Sequence, residues 1–203
     1  MTVERIVDDP SAAAAAIASG GRLERHSVVM ALDLAQASPV PLVIGGFSIA
    51  PMNLGRVIEY GEVVGRAYPP EHLDHKSADS DTNLAAQEII DVIRGETMGP
   101  WIAGASLHVA DRNDRIVGQI LVNETTASGT SVAGPFVTDI CVDPAAAGHG
   151  LGTALLAASA GHLADLGWST LTLVVTVGNP AQRVYERLGF RLTAESWRIE
   201  TAG

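Results

Sequence analysis

Apolar residues recur along this chain at two alternating spacings. Leu54, Val57, Ile58, Gly61 and Val64 fall near i, i+3, i+4, i+7, the spacing of one helix face, and Asn53 ahead of them is a capping residue. That helix must stop before Pro69-Pro70, because a proline disfavours the helical conformation in the residue preceding it. After a polar loop over 71–81, Thr82 opens a second helix with Ala86, Ile89, Ile90 and Ile93 on one stripe and Gly95 as its stop. Leu155, Leu156, Ser159, Leu163 and Leu166 predict a helix over 152–166. Ala181, Val184, Tyr185 and Leu188 predict another, capped by Asn179, with Pro180 in its first turn and Gly189 at its end. Runs with strand character lie between them, at 47–51, 105–110, 116–122, 136–142 and 170–175, with at least one more in 190–201. Asp111-Arg112-Asn113-Asp114 reads as a hairpin turn, and 123–134, rich in Gly, Ser and Thr, as a loop. The order is strand, two helices, hairpin, then strand–helix–strand–helix–strand, which predicts a three-layer α/β domain with a mixed sheet.

The first 38 residues read differently. An alanine-rich stretch over 11–19 followed by Gly20-Gly21 predicts a short helix over 10–19 with a nearly featureless surface. Residues 27–34 fit either a strand or a helical turn, and Ser38-Pro39-Val40-Pro41 marks a boundary. The expectation is an N-terminal arm, 1–38, and a domain, 39–203. The arm would dock on the sheet, with 27–34 completing an edge, or on a second copy of the chain in a homodimer.

Composition narrows the partners. The chain has 203 residues, is 47% hydrophobic and 18% charged, and carries a formal net charge of −10, which suits a soluble globular protein. That charge argues against nucleic acid and anionic membrane as partners, favours a cationic amine, and requires any anionic ligand to be held by a local site. Lys76 is the only lysine. The single cysteine, Cys141, rules out an intramolecular disulfide and any cysteine-based zinc site, and no metal is expected. The acidic start lacks the basic and apolar regions of a signal peptide, and no apolar run reaches the roughly 20 residues needed to span a bilayer. A cytoplasmic location is expected.

One segment stands out chemically. Val142-Asp143-Pro144-Ala145-Ala146-Ala147-Gly148-His149-Gly150-Leu151-Gly152-Thr153 runs from a predicted strand straight into a predicted helix. Alternating glycines let backbone approach a ligand with its N–H groups outward, and the helix terminus adds partial positive charge, so a phosphate or pyrophosphate fits. No lysine precedes Thr153, which excludes a P-loop, and neither register of the glycines completes G-x-G-x-x-G.

The stretch 142–156, VDPAAAGHGLGTALL, resembles the acyl-CoA-binding motif of the GNAT N-acyltransferase superfamily, R/Q-x-x-G-x-G/A. The stretch 179–190, NPAQRVYERLGF, resembles the same superfamily's second motif, with Asn179, Ala181, Tyr185 and Gly189-Phe190 in matching places. The resemblance is strong over 131–192, looser over 44–130, and does not cover 1–38. One departure is Ala147, which stands where the family has Gln or Arg. The resemblance implies a three-layer α/β/α fold around a mixed, mostly antiparallel sheet. It also implies transfer of an acetyl group from acetyl-CoA to a primary amine of a small molecule or peptide. The alternative is a catalytically inactive CoA-binding sensor or partner domain, which Ala147 favours.

By the same resemblance, the backbone of Ile140, Cys141 and Val142 would pair with the pantetheine arm. The amides of Gly148, His149, Gly150, Leu151, Gly152 and Thr153 would hold the pyrophosphate, His149 and Asn179 being further cofactor contacts. Tyr185 would be the general acid on the thiolate; read from its stripe alone, it is equally a core tyrosine. Two carboxylates are candidate bases. Asp139 lies on the strand entering the turn and faces away from Ile140 and Val142, while Glu124 ends the preceding strand. His108, mid-strand, reads as a sheet residue. In the family the loop between the first two helices shapes the acceptor pocket. Here it contains Tyr68, His72, Asp74 and His75, of which Tyr68, His72 and His75 are the candidate acceptor contacts; their loop spacing fixes no metal geometry.

Overall fold

The computed structural model describes residues 2–36, 43–126 and 133–202; the proline cluster at 38–41 lies outside them. Its elements are β1 (Thr2–Val7), α1 (Pro10–Ala18), β2 (Arg22–Asp33), β3 (Val43–Ile44), β4 (Phe47–Pro51), α2 (Val57–Ala67), α3 (Thr82–Ile93), β5 (Leu107–Ala110), β6 (Ile116–Thr125), β7 (Gly134–Val142), α4 (Leu151–Asp165), β8 (Thr170–Thr176), α5 (Gln182–Arg187) and β9 (Arg191–Ala202). The strands form one nine-stranded sheet in the order β1-β9-β2-β8-β7-β6-β5-β4-β3. Among the described residues its only parallel neighbours are β7 and β8, so the sheet is mixed and mostly antiparallel, as expected.

Alternation along the strands divides the core between the two faces. Ile140 and Val142 of β7 and Val28, Met30 and Leu32 of β2 pack with Leu155, Leu156 and Leu163 of α4. Cys141 and Leu121 face the other way, against Tyr60 and Val63 of α2 and Ile89 of α3. Gly61 sets how closely α2 and α3 approach: a Cβ there would lie 2.5 Å from the Thr82 carbonyl oxygen.

The N-terminal region departs from expectation. Residues 22–33 are not part of an arm and do not complete an edge. They form an interior strand, hydrogen-bonded to β8 on one side and β9 on the other. The strand owes its place to long-range pairing: Val28 opposes Val175 and Glu195, residues almost at the other end of the chain. Of the region before the proline cluster, β1 lies at an edge of the sheet, and the short helix α1, capped by Asp9 accepting from the Ala12 amide at 2.7 Å, leads from it to β2.

The feature that makes a site is the parting of β7 and β8. They pair only at Phe136↔Thr172 and Val137↔Leu173. Across β7 the register with β6 slips, Leu121 opposing Asp139 but Val122 opposing Val137, so Thr138 is bulged. A bulge bends its strand and increases local twist. From Thr138 onward β7 therefore turns away from β8 and leaves that edge open.

Candidate active site

A cavity of about 330 Å³ fills the gap between the parted strands. Residues 137–142 of β7 form one wall, residues 173–175 of β8 another, and Tyr68, His72, Asp74 and Tyr185 close it from the α2–α3 loop and α5.

Asp139 is the hub on the β7 side. Its Oδ1 accepts from the Tyr68 hydroxyl at 3.0 Å and its Oδ2 from Gln119 Nε2 at 2.8 Å. The Tyr68 hydroxyl also reaches the Ile140 carbonyl oxygen at 2.9 Å. Burial first, and Asp139 second, push the Tyr68 phenol and the Cys141 thiol well above their ordinary pKa values, so both stay protonated and act as donors. The alternation read from sequence places Asp139 correctly, on the α2/α3 side of the sheet with Cys141.

Tyr185 enters from α5. It is 8% exposed, and its ring centroid lies 5.9 Å from that of Phe190. Its hydroxyl has no hydrogen-bond partner among the described residues and fronts the cavity. Burial, then the Asp139 and Asp74 charges, raise its pKa to about 12.

The turn before α4 is built as an anion cradle. Among the described residues no backbone amide of 148–153 has an acceptor, and the first bond of the helix runs from the Ala154 amide to the Gly150 carbonyl. Gly148 (φ 83°) and Gly150 (φ 71°) adopt left-handed conformations, and a Cβ on either would meet nothing within 4 Å, so backbone angle and not space requires glycine. No acidic residue lies in the first turn of α4. Asp143, just upstream, is buried and matched: it accepts from Arg66 Nε at 2.6 Å, Arg115 at 3.1 Å and the Ala145 amide at 2.9 Å. Burial opposes its ionisation, but the Ala145 amide and the two guanidinium groups outweigh that and hold its pKa below the ordinary value. The side chain of Leu151 is in the core, while Thr153 is exposed. Ala147 offers a methyl group and no polar contact.

Other candidates fall elsewhere. Glu124 is exposed, opposite Pro135 at the far end of β6, and does not line the cavity, so its proximity to Asp139 along the strands does not make it a base here. His75 does not line the cavity either: its Nδ1–H donates to the Tyr68 carbonyl at 2.7 Å and so ties the loop together. His72 does line it, edge-on to the Tyr68 ring. His149 is exposed and lies against Phe47 in a separate hollow. His108 is buried and bonded to the Tyr60 hydroxyl at 3.1 Å, and burial lowers its pKa, as suits a neutral sheet residue. Among the described residues no group of His, Cys, Asp or Glu is arranged to hold a metal ion. No helix among them is long and apolar enough to cross a membrane.

Asn179 has both ends of its side chain in use. Oδ1 accepts from the Ala181 amide at 2.8 Å, and Nδ2 donates to Asp74 Oδ2 at 2.6 Å. Arg25 of β2 also reaches Asp74, at 2.7 Å. Arg25 and Gln119 carried no mark in the sequence, since each meets its partner only through the fold.

Residues 103–192 match the family model for an acetyltransferase (GNAT) domain. That stretch is a GNAT acetyltransferase domain. Similar curated relatives include the mycothiol acetyltransferase of Catenulispora acidiphila, 32% identical over 185 residues that cover 89% of this chain and 55% of that protein. The corresponding protein of Thermomonospora curvata is 32% identical over 184 residues, covering 88% of this chain and 57% of that one. The chain thus spans little more than half the length of these relatives. Among solved structures, a GCN5-related N-acetyltransferase from Sphaerobacter thermophilus superposes with a TM-score of 0.72 at 20% identity, covering 99% of this chain and 59% of that one. A tandem GNAT protein from the clavulanic acid biosynthesis pathway gives 0.68 at 18% identity, covering 98% and 63%. These two likenesses bear on the fold, and both share the GNAT arrangement described above.

Proposed function

We propose that the protein transfers an acetyl group from acetyl-CoA to a primary amine of a small molecule or peptide by direct attack. The observation that carries this reading is Tyr185: a buried phenol, protonated at any ordinary pH and without a protein partner, facing the gap where β7 and β8 part. The residues present fit acetyl-CoA. The partnerless amides of 148–153 suit its diphosphate, and the open edge of β7 at Ile140, Cys141 and Val142 suits an extended amide-bearing arm. The names of the curated relatives support acetyl transfer and a small-molecule acceptor.

When bound, acetyl-CoA supplies a thioester whose sulfur is a good leaving group. The chain does the rest. Tyr185 holds a proton for the departing sulfur. Asp139, fixed by Tyr68 and Gln119, orients the acceptor nitrogen and takes its proton directly or through one water. Outward amides of β7 stabilise negative charge as the carbonyl carbon becomes tetrahedral. Tyr68 and His72 line the acceptor side, where Asp74, Asp79, Glu88 and Asp139 favour a cationic amine.

The test has two steps. Acetyl-CoA at about millimolar concentration raises the melting temperature, as a ligand that binds only the folded state must. Free CoA thiol then appears with at least one member of a panel of amino acids, polyamines, aminoglycosides and peptide N-termini. Stabilisation without thiol release from any amine identifies the CoA-binding partner domain that Ala147 favours, and no stabilisation refutes both readings.

A further inference from the structure

We propose that Arg25 and Asp74 form a clamp that fixes the acceptor-side loop to the end of β8 and the turn before α5, and so sets the spacing of the reacting groups. Asp74 sits in the loop between α2 and α3, and its carboxylate gathers donors from three other elements. Oδ1 accepts from Arg25 of β2 at 2.7 Å and from Thr176 Oγ1 at the end of β8 at 2.5 Å; Oδ2 accepts from Asn179 before α5 at 2.6 Å. The loop's other bonds stay within it, such as His72 amide to Pro69 carbonyl and His75 amide to His72 carbonyl, or run to β7 and α3, from the Tyr68 hydroxyl to Asp139 and Ile140 and from Lys76 to Glu88. Among the described residues, Asp74 therefore makes the loop's only hydrogen bonds to the far side of the cavity.

The geometry gives this tie a consequence. The loop begins at Tyr68, which is bonded to Asp139. Asn179, held by Asp74, caps Ala181, whose carbonyl accepts the Tyr185 amide at 3.1 Å. One short path thus runs from Asp139 through Tyr68, the loop, Asp74 and Asn179 to Tyr185, the two ends being the groups that must face one acyl carbon. Arg25 supplies the charge that lets Asp74 sit there. Its Nε is buried without a partner, so its own hydrogen bonding is incomplete and its place is explained by the ion pair it makes. The Asp74 side chain is only 19% exposed and shares the cavity with Asp79, Glu88 and Asp139, so removing Arg25 leaves a poorly solvated carboxylate among like charges. Interior strand β2 thereby reaches the site through one residue. Arg25 and Asp74 are positioning residues, since they act through Tyr68 and Asn179.

The kinetic arm rests on the acetyltransferase reading. Asp74→Asn and Arg25→Gln are each expected to raise the acceptor KM by about tenfold, the loss of one charge-assisted hydrogen bond, while the acetyl-CoA Kd moves less than about twofold. The double variant is expected to be little worse than either single one, because both remove the same contact. Arg25→Lys restores part of the loss. A second arm needs no turnover: amide hydrogen exchange over 70–76 quickens in Asp74→Asn while the exchange of β6 and α4 does not change. Should Asp74→Asn fail to fold, Arg25→Lys and Arg25→Gln carry both arms. An acetyl-CoA Kd that rises with acceptor KM unmoved, additive effects in the double variant, or unchanged loop exchange each overturn the clamp. If the wild-type protein releases no thiol with any amine, the acetyltransferase reading fails, and hydrogen exchange alone decides the clamp.

Discussion

Replacing Tyr185 by Phe separates chemistry from structure. The ring stays: it lies among Val184, Leu188 and Phe190 at 8% exposure, and Phe fills the same space. The hydroxyl has no partner among the described residues, so deleting it orphans no donor or acceptor there. The expected change in stability is under about 1 kcal/mol, or roughly 2–4 °C in melting temperature for a chain of this size. Activity behaves differently. A positioned general acid contributes about a hundredfold to ten-thousandfold, so kcat should fall by at least about a hundredfold while acetyl-CoA still binds. With its pKa at about 12, Tyr185 keeps its proton at any practical assay pH, and the wild-type rate should show no alkaline loss from this group below that range. The assay is thiol release at saturating acetyl-CoA, run beside thermal melting and acetyl-CoA titration of the same samples. Turnover within about twofold of wild type refutes Tyr185 as the acid. A fall in melting temperature beyond about 5 °C refutes the claim that the hydroxyl is structurally idle.

Other residues give separate tests. Asp143→Asn leaves Arg66 and Arg115 without their buried carboxylate and should cost about 2 kcal/mol at neutral pH by chemical denaturation, moderated because both arginines are partly exposed. The sign in pH follows from the lowered pKa: the stabilisation is complete above the unfolded value near 4 and disappears as pH falls through the lower folded value, so the variant and wild type should converge in acid. Gly150→Ala meets no atom within 4 Å but forces a left-handed backbone on alanine, a cost of about 1–2 kcal/mol visible in melting, with weakened acetyl-CoA binding as the α4 terminus shifts. Asp139→Asn should lower kcat by at least about a hundredfold and steepen the dependence on acceptor pKa, whereas Glu124→Gln, outside the cavity, should leave thiol release unchanged.

What was legible in the sequence depended on distance along the chain. Helices α2 to α5 were readable because their apolar stripes and caps are local, and Asn53, Gly95 and Gly189 all punctuate near where they were expected. Asp139 came into view through strand alternation, and Tyr185 through helix spacing and the family motif. The role of β2 was not readable. Its apolar run fits several environments, and only pairing with β8 and β9, over 100 residues away, makes it interior. Glu124 misled because it ends a strand adjoining Asp139. In an antiparallel pair that end lies opposite Pro135, several residues from the Leu121 that faces Asp139. His75 misled by composition, since a histidine near a site can spend its ring on a backbone carbonyl.

Charge is where sequence and structure together say more than either alone. A net charge of −10 argues against an anionic cofactor if charge is treated as a uniform field. The fold distributes it otherwise. At the α4 terminus no acidic residue lies in the first turn, and the amides of 148–153 point outward unpaired. The nearest buried carboxylate, Asp143, is covered by two arginines. A diphosphate there meets partial positive charge from the backbone and almost none of the chain's net negative charge, so Ala147 removes one contact without removing the cradle. Across the cavity the balance reverses, with Asp74, Asp79, Glu88 and Asp139 against Arg25 and Lys76. Two regions therefore differ in charge: the turn before α4 is suited to an anion, and the cavity beside the α2–α3 loop is rich in carboxylates. On the proposed function, the diphosphate of the acyl donor would be steered to the first region and the amine of the acceptor to the second. Raising ionic strength should accordingly raise the acceptor's KM more than the donor's, because attraction of an approaching cation to the four carboxylates acts over a distance and is screened, while contacts to helix-terminus amides are short-range.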